Sequence, residues 1–144
     1  MICNQCPRKC NTDREITLGF CKSPQHFRVS RAALHFWEEP CISGENGSGT
    51  VFFSGCNLRC VFCQNYEISR ENKGVEISDE KLVSIFEKLI SQGAHNINLV
   101  NPSHYACRLA SVLSKWKSPV PIVYNTSGYD SVCLLYTSDA ADEL

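Results

Sequence analysis

Three short apolar runs punctuate the second half of the chain and predict buried strands. Residues 50–53, Thr-Val-Phe-Phe, are β-branched and aromatic and run into Ser54-Gly55, which predicts a strand followed by a loop. Residues 95–100 and 121–124 predict two further strands. Polar or turn-forming residues end both runs, at positions 101–102 and 125–128.

The segments between these runs have the periodicity of amphipathic helices. Ser78 suits an N-cap, acidic residues follow it where the helix dipole favours them, and Gly93 suits the C′ position. The apolar face of this helix is predicted to contain Leu82, Val83, Phe86, Leu89 and Ile90. Asn101 is predicted to cap a second helix, with Pro102 at N1.

The order strand, helix, strand, helix, strand requires parallel strands joined by right-handed crossovers. We therefore predict an α/β fold, the first half of a partial (β/α) TIM-like barrel, over residues 49–131. A Cys-rich N-terminal segment, residues 1–48, precedes it. Ligands of such barrels sit at the carboxyl ends of the strands, which here are residues 55–63, 101–105 and 125–128.

The composition narrows the class of protein. Of 144 residues, 43% are hydrophobic and 20% are charged, which is typical of a soluble globular domain. A net charge of −1 gives no reason to expect nucleic acid or a membrane surface as a partner. No apolar run has the length of a membrane span, and the amino terminus has no signal-peptide pattern. With 10 cysteines, we expect a reducing, cytoplasmic location and metal ligation rather than disulfides.

Cys56, Cys60 and Cys63 follow the first predicted strand with the spacing Cys-x3-Cys-x2-Cys. Thiolates suit zinc, copper(I) or iron–sulfur clusters, and a closed structural site normally has four ligands. Three ligands from one loop would leave one metal position open to a small molecule. This indicates a reactive site rather than a structural one. The alternatives are a zinc site completed by His35 or Cys41, or a disulfide within the group.

The string from Gly49 to Cys60, followed by Cys63-Gln64-Asn65, resembles the radical S-adenosylmethionine (SAM) superfamily and, within it, relatives of the pyruvate formate-lyase activating enzyme. The resemblance implies a radical SAM barrel and an oxidoreductase in which the three cysteines hold a [4Fe–4S] cluster. The fourth iron would chelate SAM, and one electron would cleave it to methionine and a 5′-deoxyadenosyl radical. It also implies a one-electron donor such as flavodoxin or ferredoxin, and a glycyl radical enzyme as a possible target.

The same resemblance suggests residues that contact the cofactor. Phe62 is expected to pack against the adenine, with a core aromatic as its alternative. Where the family has a Gly-Gly-Glu motif after the second strand, residues 100–104 read Val-Asn-Pro-Ser-His, a departure that leaves Asn101 as the candidate contact. Asn125 or Thr126 is a candidate for a ribose hydroxyl; capping or turn roles are the alternatives. His104 is a possible proton donor, although a surface or capping position is preferred.

A second cysteine group lies near the amino terminus. Its members, separated by two, three and ten residues, are Cys3, Cys6, Cys10 and Cys21. Four thiolates complete a zinc site or a fully ligated iron–sulfur cluster, and the spacing leaves both open. The segment also resembles the amino-terminal part of the same activating-enzyme relatives. The alternative function for the chain is a zinc or iron–sulfur binding module with a structural or electron-transfer role.

The last residues differ in character from the rest. Residues 133–143 read as the in-frame translation of a transposon-end adapter used in sequencing libraries. We therefore predict that residues 132–144 are an assembly scar and that the barrel is truncated.

Overall fold

The structure, a computed structural model, describes residues 2–136. In chain order its elements are β1 Ile2–Cys3, β2 Thr12–Asp13, β3 Phe27–His35, α1 Pro40–Ser43, β4 Ser48–Phe53, α2 Tyr66–Ser69, β5 Val75–Ile77, α3 Asp79–Ser91, β6 Ile97–Val100, a 3-10 turn Ser103–Tyr105, α4 Ala106–Lys115, β7 Ile122–Asn125 and α5 Val132–Tyr136. In the predicted adapter-derived tail, α5 covers the first residues, and residues 137–144 lie outside the described part. None of the helices within residues 2–136 combines the length and apolar character needed to cross a membrane.

The main sheet has the strand order β5-β3-β4-β6-β7. Strands β4, β6 and β7 are parallel, as the alternation of strands and helices predicted, with Phe52 opposite Val100 and Val100 opposite Asn125. This agrees with an α/β fold. The sheet stays open within residues 2–136, so the half-barrel remains a prediction.

Two antiparallel strands, which the sequence analysis did not anticipate, extend the sheet. Strand β3 pairs with β4, from Val29 opposite Phe53 to His35 opposite Ser48, and β5 pairs with β3. The apolar alternation of β3 is clear only in its first residues, because a register shift follows Val29. The predicted boundary after residue 48 therefore falls inside β4, which pairs with β3 along its length.

Helix α3 follows its sequence signals closely. The hydroxyl of Ser78 accepts a hydrogen bond from the Lys81 N–H at 3.2 Å, which confirms the predicted N-cap. Gly93 has φ +102°, the left-handed conformation expected just after a helix. The helix buries its apolar face against the sheet through Leu82, Phe86 and Leu89.

Helix α4 begins later than predicted, so the predicted Asn-Pro cap is wrong. Asn101 has φ +55°, and Pro102 precedes the 3-10 turn rather than the α-helix. The Asn101 side chain instead donates to the Gly55 carbonyl at 3.0 Å. Asn tolerates the left-handed region better than most residues, which lets the chain turn back toward the end of β4.

The N-terminal segment packs against the loop that follows β4. The Cys56 N–H donates to the Cys21 carbonyl at 3.3 Å, and the Ser23 hydroxyl donates to the Ser54 carbonyl at 3.2 Å. Gly55 has φ +84°, and a Cβ at this position would lie 2.5 Å from the Cys21 carbonyl oxygen. Two backbone segments therefore come too close for a side chain at position 55. Glycine is required there both by this lack of space and by its positive φ.

We predict that Gly55→Ala destabilises the chain more than a matched substitution elsewhere. The control is Gly128→Ala, because Gly128 also has a positive φ, +75°, but nothing lies within 4 Å of a Cβ there. The control should lose about 1–2 kcal/mol of unfolding free energy from backbone strain alone. Gly55→Ala should lose at least about 3 kcal/mol, because the clash adds to the strain. Equal losses in denaturant titrations would show that the close approach carries no cost.

Candidate functional site

A pocket of about 250 Å³ opens at the carboxyl ends of β4, β6 and β7. This volume is near the lower end of small-molecule sites, about 300 Å³. The residues lining it include six that the sequence analysis singled out: Cys56, Cys60, Cys63, Asn101, Asn125 and Thr126. The fold therefore brings the three-cysteine loop and the predicted polar contacts to one place.

Hydrogen-bond donors surround two of the three loop sulfurs. Cys56 Sγ accepts from the N–H groups of Leu58 at 3.3 Å and Arg59 at 3.5 Å. The Ser69 hydroxyl, at the end of α2, donates to Cys63 Sγ at 3.3 Å. Donors of this kind can remain in place when a sulfur becomes a metal-bound thiolate, which accepts hydrogen bonds but no longer donates one.

The chemistry of these residues fits an iron–sulfur cluster, although the thiols do not form a finished centre. No three Cys, His, Asp or Glu side chains within residues 2–136 form a group that could hold a metal ion. Cys56, Cys60 and Cys63 are not joined by a disulfide, so the disulfide alternative is wrong for this structure. Three soft donors on the wall of one open pocket are the ligand type that such a cluster requires.

The alternative of a zinc site completed by His35 or Cys41 is also wrong. His35 pairs with Ser48 at the start of β4, whereas the cysteine loop follows the other end of that strand. A six-residue strand spans roughly 17–20 Å, far beyond the reach of a shared ligand shell. Cys41 lies in α1, which precedes β4 at the same end of the strand as His35, and neither residue lines the pocket.

Asn101 and Thr126 contact the protein itself. The amide of Asn101 donates to the Gly55 carbonyl at 3.0 Å, and the Cys56 thiol lies 3.8 Å from its Oδ1. Thr126 Oγ1 accepts from the Gly128 N–H at 3.1 Å and donates to the Asp130 carboxylate, which are turn contacts. Asn125, in contrast, ends β7 with an exposed side chain on the pocket wall.

Phe62 lies at the tip of the cysteine loop with 97% of its surface exposed. The alternative of a core aromatic is therefore wrong. The side chain is not among the residues that line the pocket, and its neighbour Val61 is 72% exposed as well. Packing of Phe62 against an adenine remains a prediction.

His104 is buried, so the preferred surface or capping position is wrong. Its side chain is 1% exposed, and Nε2 lies 2.8 Å from the Ser54 carbonyl oxygen. Burial lowers its pKa from 6.5 to about 3, the nearby Arg14 adds to this, and the hydrogen bond to Ser54 acts in the opposite direction. The neutral imidazole thus donates from Nε2 to the carbonyl that precedes Gly55. His104 supports the loop and is not among the residues lining the pocket.

Three buried polar residues near the site were missed. Asn57, directly after the first loop cysteine, donates to the Tyr129 carbonyl at 2.8 Å. Asp130 accepts from the Tyr124 hydroxyl at 3.2 Å. Asn98 shares its face of β6 with Val100, a pocket residue, and within residues 2–136 its amide has no hydrogen-bond partner. Only Asn98 carried a signal, which was a polar side chain inside an apolar strand pattern.

We predict that His104 makes the chain less stable in mild acid. An unfolded histidine takes up a proton near pH 6.5, whereas folded His104 stays neutral to about pH 3, so unfolding binds a proton between these values. The unfolding free energy should fall by up to about 1.4 kcal/mol per pH unit below pH 6.5. Denaturant titrations from pH 7 to pH 5 should show a shallower dependence of the unfolding free energy on pH for His104→Gln than for the unmutated chain. Equal slopes in the two proteins would contradict the assignment.

The comparisons with known proteins agree with the family that the cysteine spacing resembles. Residues 50–104 match the family model described as the Radical SAM superfamily. The chain is 30% identical over 139 residues to Uncharacterized protein MJ0674 of Methanocaldococcus jannaschii. That alignment covers 90% of this chain and 40% of the relative, so the chain spans less than half of the curated protein that it matches. No solved structure matches. The family match supports a radical SAM domain in the part of the chain that contains β4, the cysteine loop and β6.

Proposed function

We propose that this chain carries the cluster-binding and cofactor-binding part of a radical SAM enzyme. One observation carries the proposal: the three cysteines of the Cys-x3-Cys-x2-Cys loop line a single pocket at the carboxyl end of parallel strands. The family match over residues 50–104 includes the same loop. Ligand pockets of parallel α/β structures lie at this edge of the sheet.

Cys56, Cys60 and Cys63 would hold a [4Fe–4S] cluster and leave one iron without a protein ligand. When bound, the cluster supplies one electron that cleaves the sulfonium of SAM to methionine and a 5′-deoxyadenosyl radical. The chain's own residues provide a partly apolar wall beside the cluster, including Phe52 and Val100.

The polar rim of the pocket would orient the cofactor. Asn125 is the best placed for a ribose hydroxyl, because its side chain is exposed on the pocket wall. Asn101 would act through its backbone and its contact with the loop, because its amide is already bonded to Gly55. Phe62 would need to fold inward from the loop tip to cover an adenine.

The reaction that would follow cofactor cleavage is proposed from the resemblance. The resemblance to activating enzymes favours hydrogen abstraction from a glycine of a partner protein, with flavodoxin or ferredoxin as the electron donor. The function that competes with this one is a metal-binding module that never cleaves SAM. The two differ in whether the cluster responds to the cofactor.

We predict that anaerobic reconstitution of the 144-residue chain with iron and sulfide yields a reduced [4Fe–4S] signal in electron paramagnetic resonance. The signal should change shape when SAM is added, because the cofactor binds the iron that lacks a cysteine. Cys60→Ala should lose this signal. Cys41→Ala, an exposed cysteine distant from the pocket, should keep both the signal and its response.

A signal that ignores SAM, or one that survives Cys60→Ala, would contradict the proposed function. In the first case the competing binding module would be the better description. In the second case the cluster would lie on other cysteines.

A further inference from the structure

The four N-terminal cysteines line a second, much smaller cavity. All four of them line a space of about 10 Å³ behind the cysteine loop. This is about the volume that one water-sized atom occupies. It is far smaller than the 250 Å³ pocket of the loop cysteines, and this difference favours one ion over a four-iron core. A single ion is the ligand of matching size.

The environment of these sulfurs is that of a metal-binding loop. The Phe20 N–H donates to Cys10 Sγ at 3.4 Å, and the Gln5 side chain donates to Cys3 Sγ at 3.7 Å. A Cβ at Gly19 would lie 3.3 Å from Cys10 Sγ, so glycine lets the backbone pass close to the sulfur. Loop backbone around clustered thiols provides the donors that support the first ligand shell.

The charges around the cavity complement an anionic metal site. One divalent ion with four thiolates has a net charge of −2, and the cavity lining includes the basic residues Arg8, Lys9 and Arg14. The Arg8 guanidinium also lies 3.9 Å from the Phe20 ring centroid, which holds it beside the cysteines.

We propose that Cys3, Cys6, Cys10 and Cys21 bind one Zn²⁺ ion in a tetrahedral site of purely structural role. The four sulfurs line one small cavity but do not yet meet at an ion, and cysteine side chains reorient by rotation about χ1 alone. Binding releases the thiol protons and fills all four positions of the metal. Zinc does not change oxidation state here, so the site carries no electron to the loop.

By ordering the N-terminal segment, the ion would stabilise the loop that carries Cys56, Cys60 and Cys63. The Cys21 carbonyl accepts a hydrogen bond from the Cys56 N–H at 3.3 Å, so one cysteine of each group is joined to one of the other. Arg8 donates to the Asn57 carbonyl at 2.8 Å, one residue further along the loop. The zinc site itself does not depend on the cluster, so each can fail without the other.

The test measures metal content and ligand type in the full 144-residue chain. We expect about one zinc per chain after purification, and the same content in the triple variant Cys56→Ala/Cys60→Ala/Cys63→Ala. Cys6→Ser and Cys21→Ser should lose this zinc, and Cys41→Ser should keep it. Zinc removal by a chelator should lower the thermal midpoint by about 5 °C or more, because binding free energy adds to folding free energy.

Cobalt substitution of the unmutated chain keeps the test independent of variant folding. Added Co²⁺ should give the visible bands of a tetrahedral ion with four thiolates, and Zn²⁺ should displace it. Octahedral cobalt bands, zinc that stays bound in both Cys6→Ser and Cys21→Ser, or iron and sulfide that persist in the triple variant would each overturn the proposal.

Discussion

The backbone contact between Cys21 and Cys56 is the constraint on which the site depends. It brings the N-terminal segment against the loop at the end of β4, where Gly55 leaves no room for a side chain. Buried His104 supports the same turn through the Ser54 carbonyl. A loop whose cysteines must meet one inorganic group needs such support, because a short loop alone has too much conformational freedom.

The two cysteine groups differ in the space that the fold gives them. The loop cysteines face an open pocket with polar strand ends, which suits a cluster with one free position and a small molecule beside it. The N-terminal cysteines surround a cavity of atomic size lined by basic side chains, which suits a closed site. The amino-acid composition does not distinguish the two groups of cysteines. The different space around each group in the folded chain is the basis for the two proposed roles.

The local features of the chain were predictable and the long-range ones were not. Helix α3 could be predicted from its N-cap Ser78 and from the spacing of its apolar residues, because both signals depend on residues that are close in sequence. Strand β3 was not predicted, because a register shift interrupts its alternation and Arg28 and Arg31 interrupt its apolar residues. Its pairing with β4 is a tertiary contact that the local pattern does not contain. The surroundings of His104 likewise come from distant parts of the chain, because Arg14 and Gln5 donate to its carbonyl across sequence separations of 90 and 99 residues. The cysteine loop could be identified because its ligands are close together in sequence.

Mössbauer spectroscopy of the chain reconstituted with ⁵⁷Fe tests the central claim most directly, because it observes each iron of the cluster separately. If the three loop cysteines leave one iron open, adding SAM should change the isomer shift of one iron in four and leave the other three unaltered. Four irons that all ignore SAM would contradict the account. They would show that the cofactor binds no iron of this cluster.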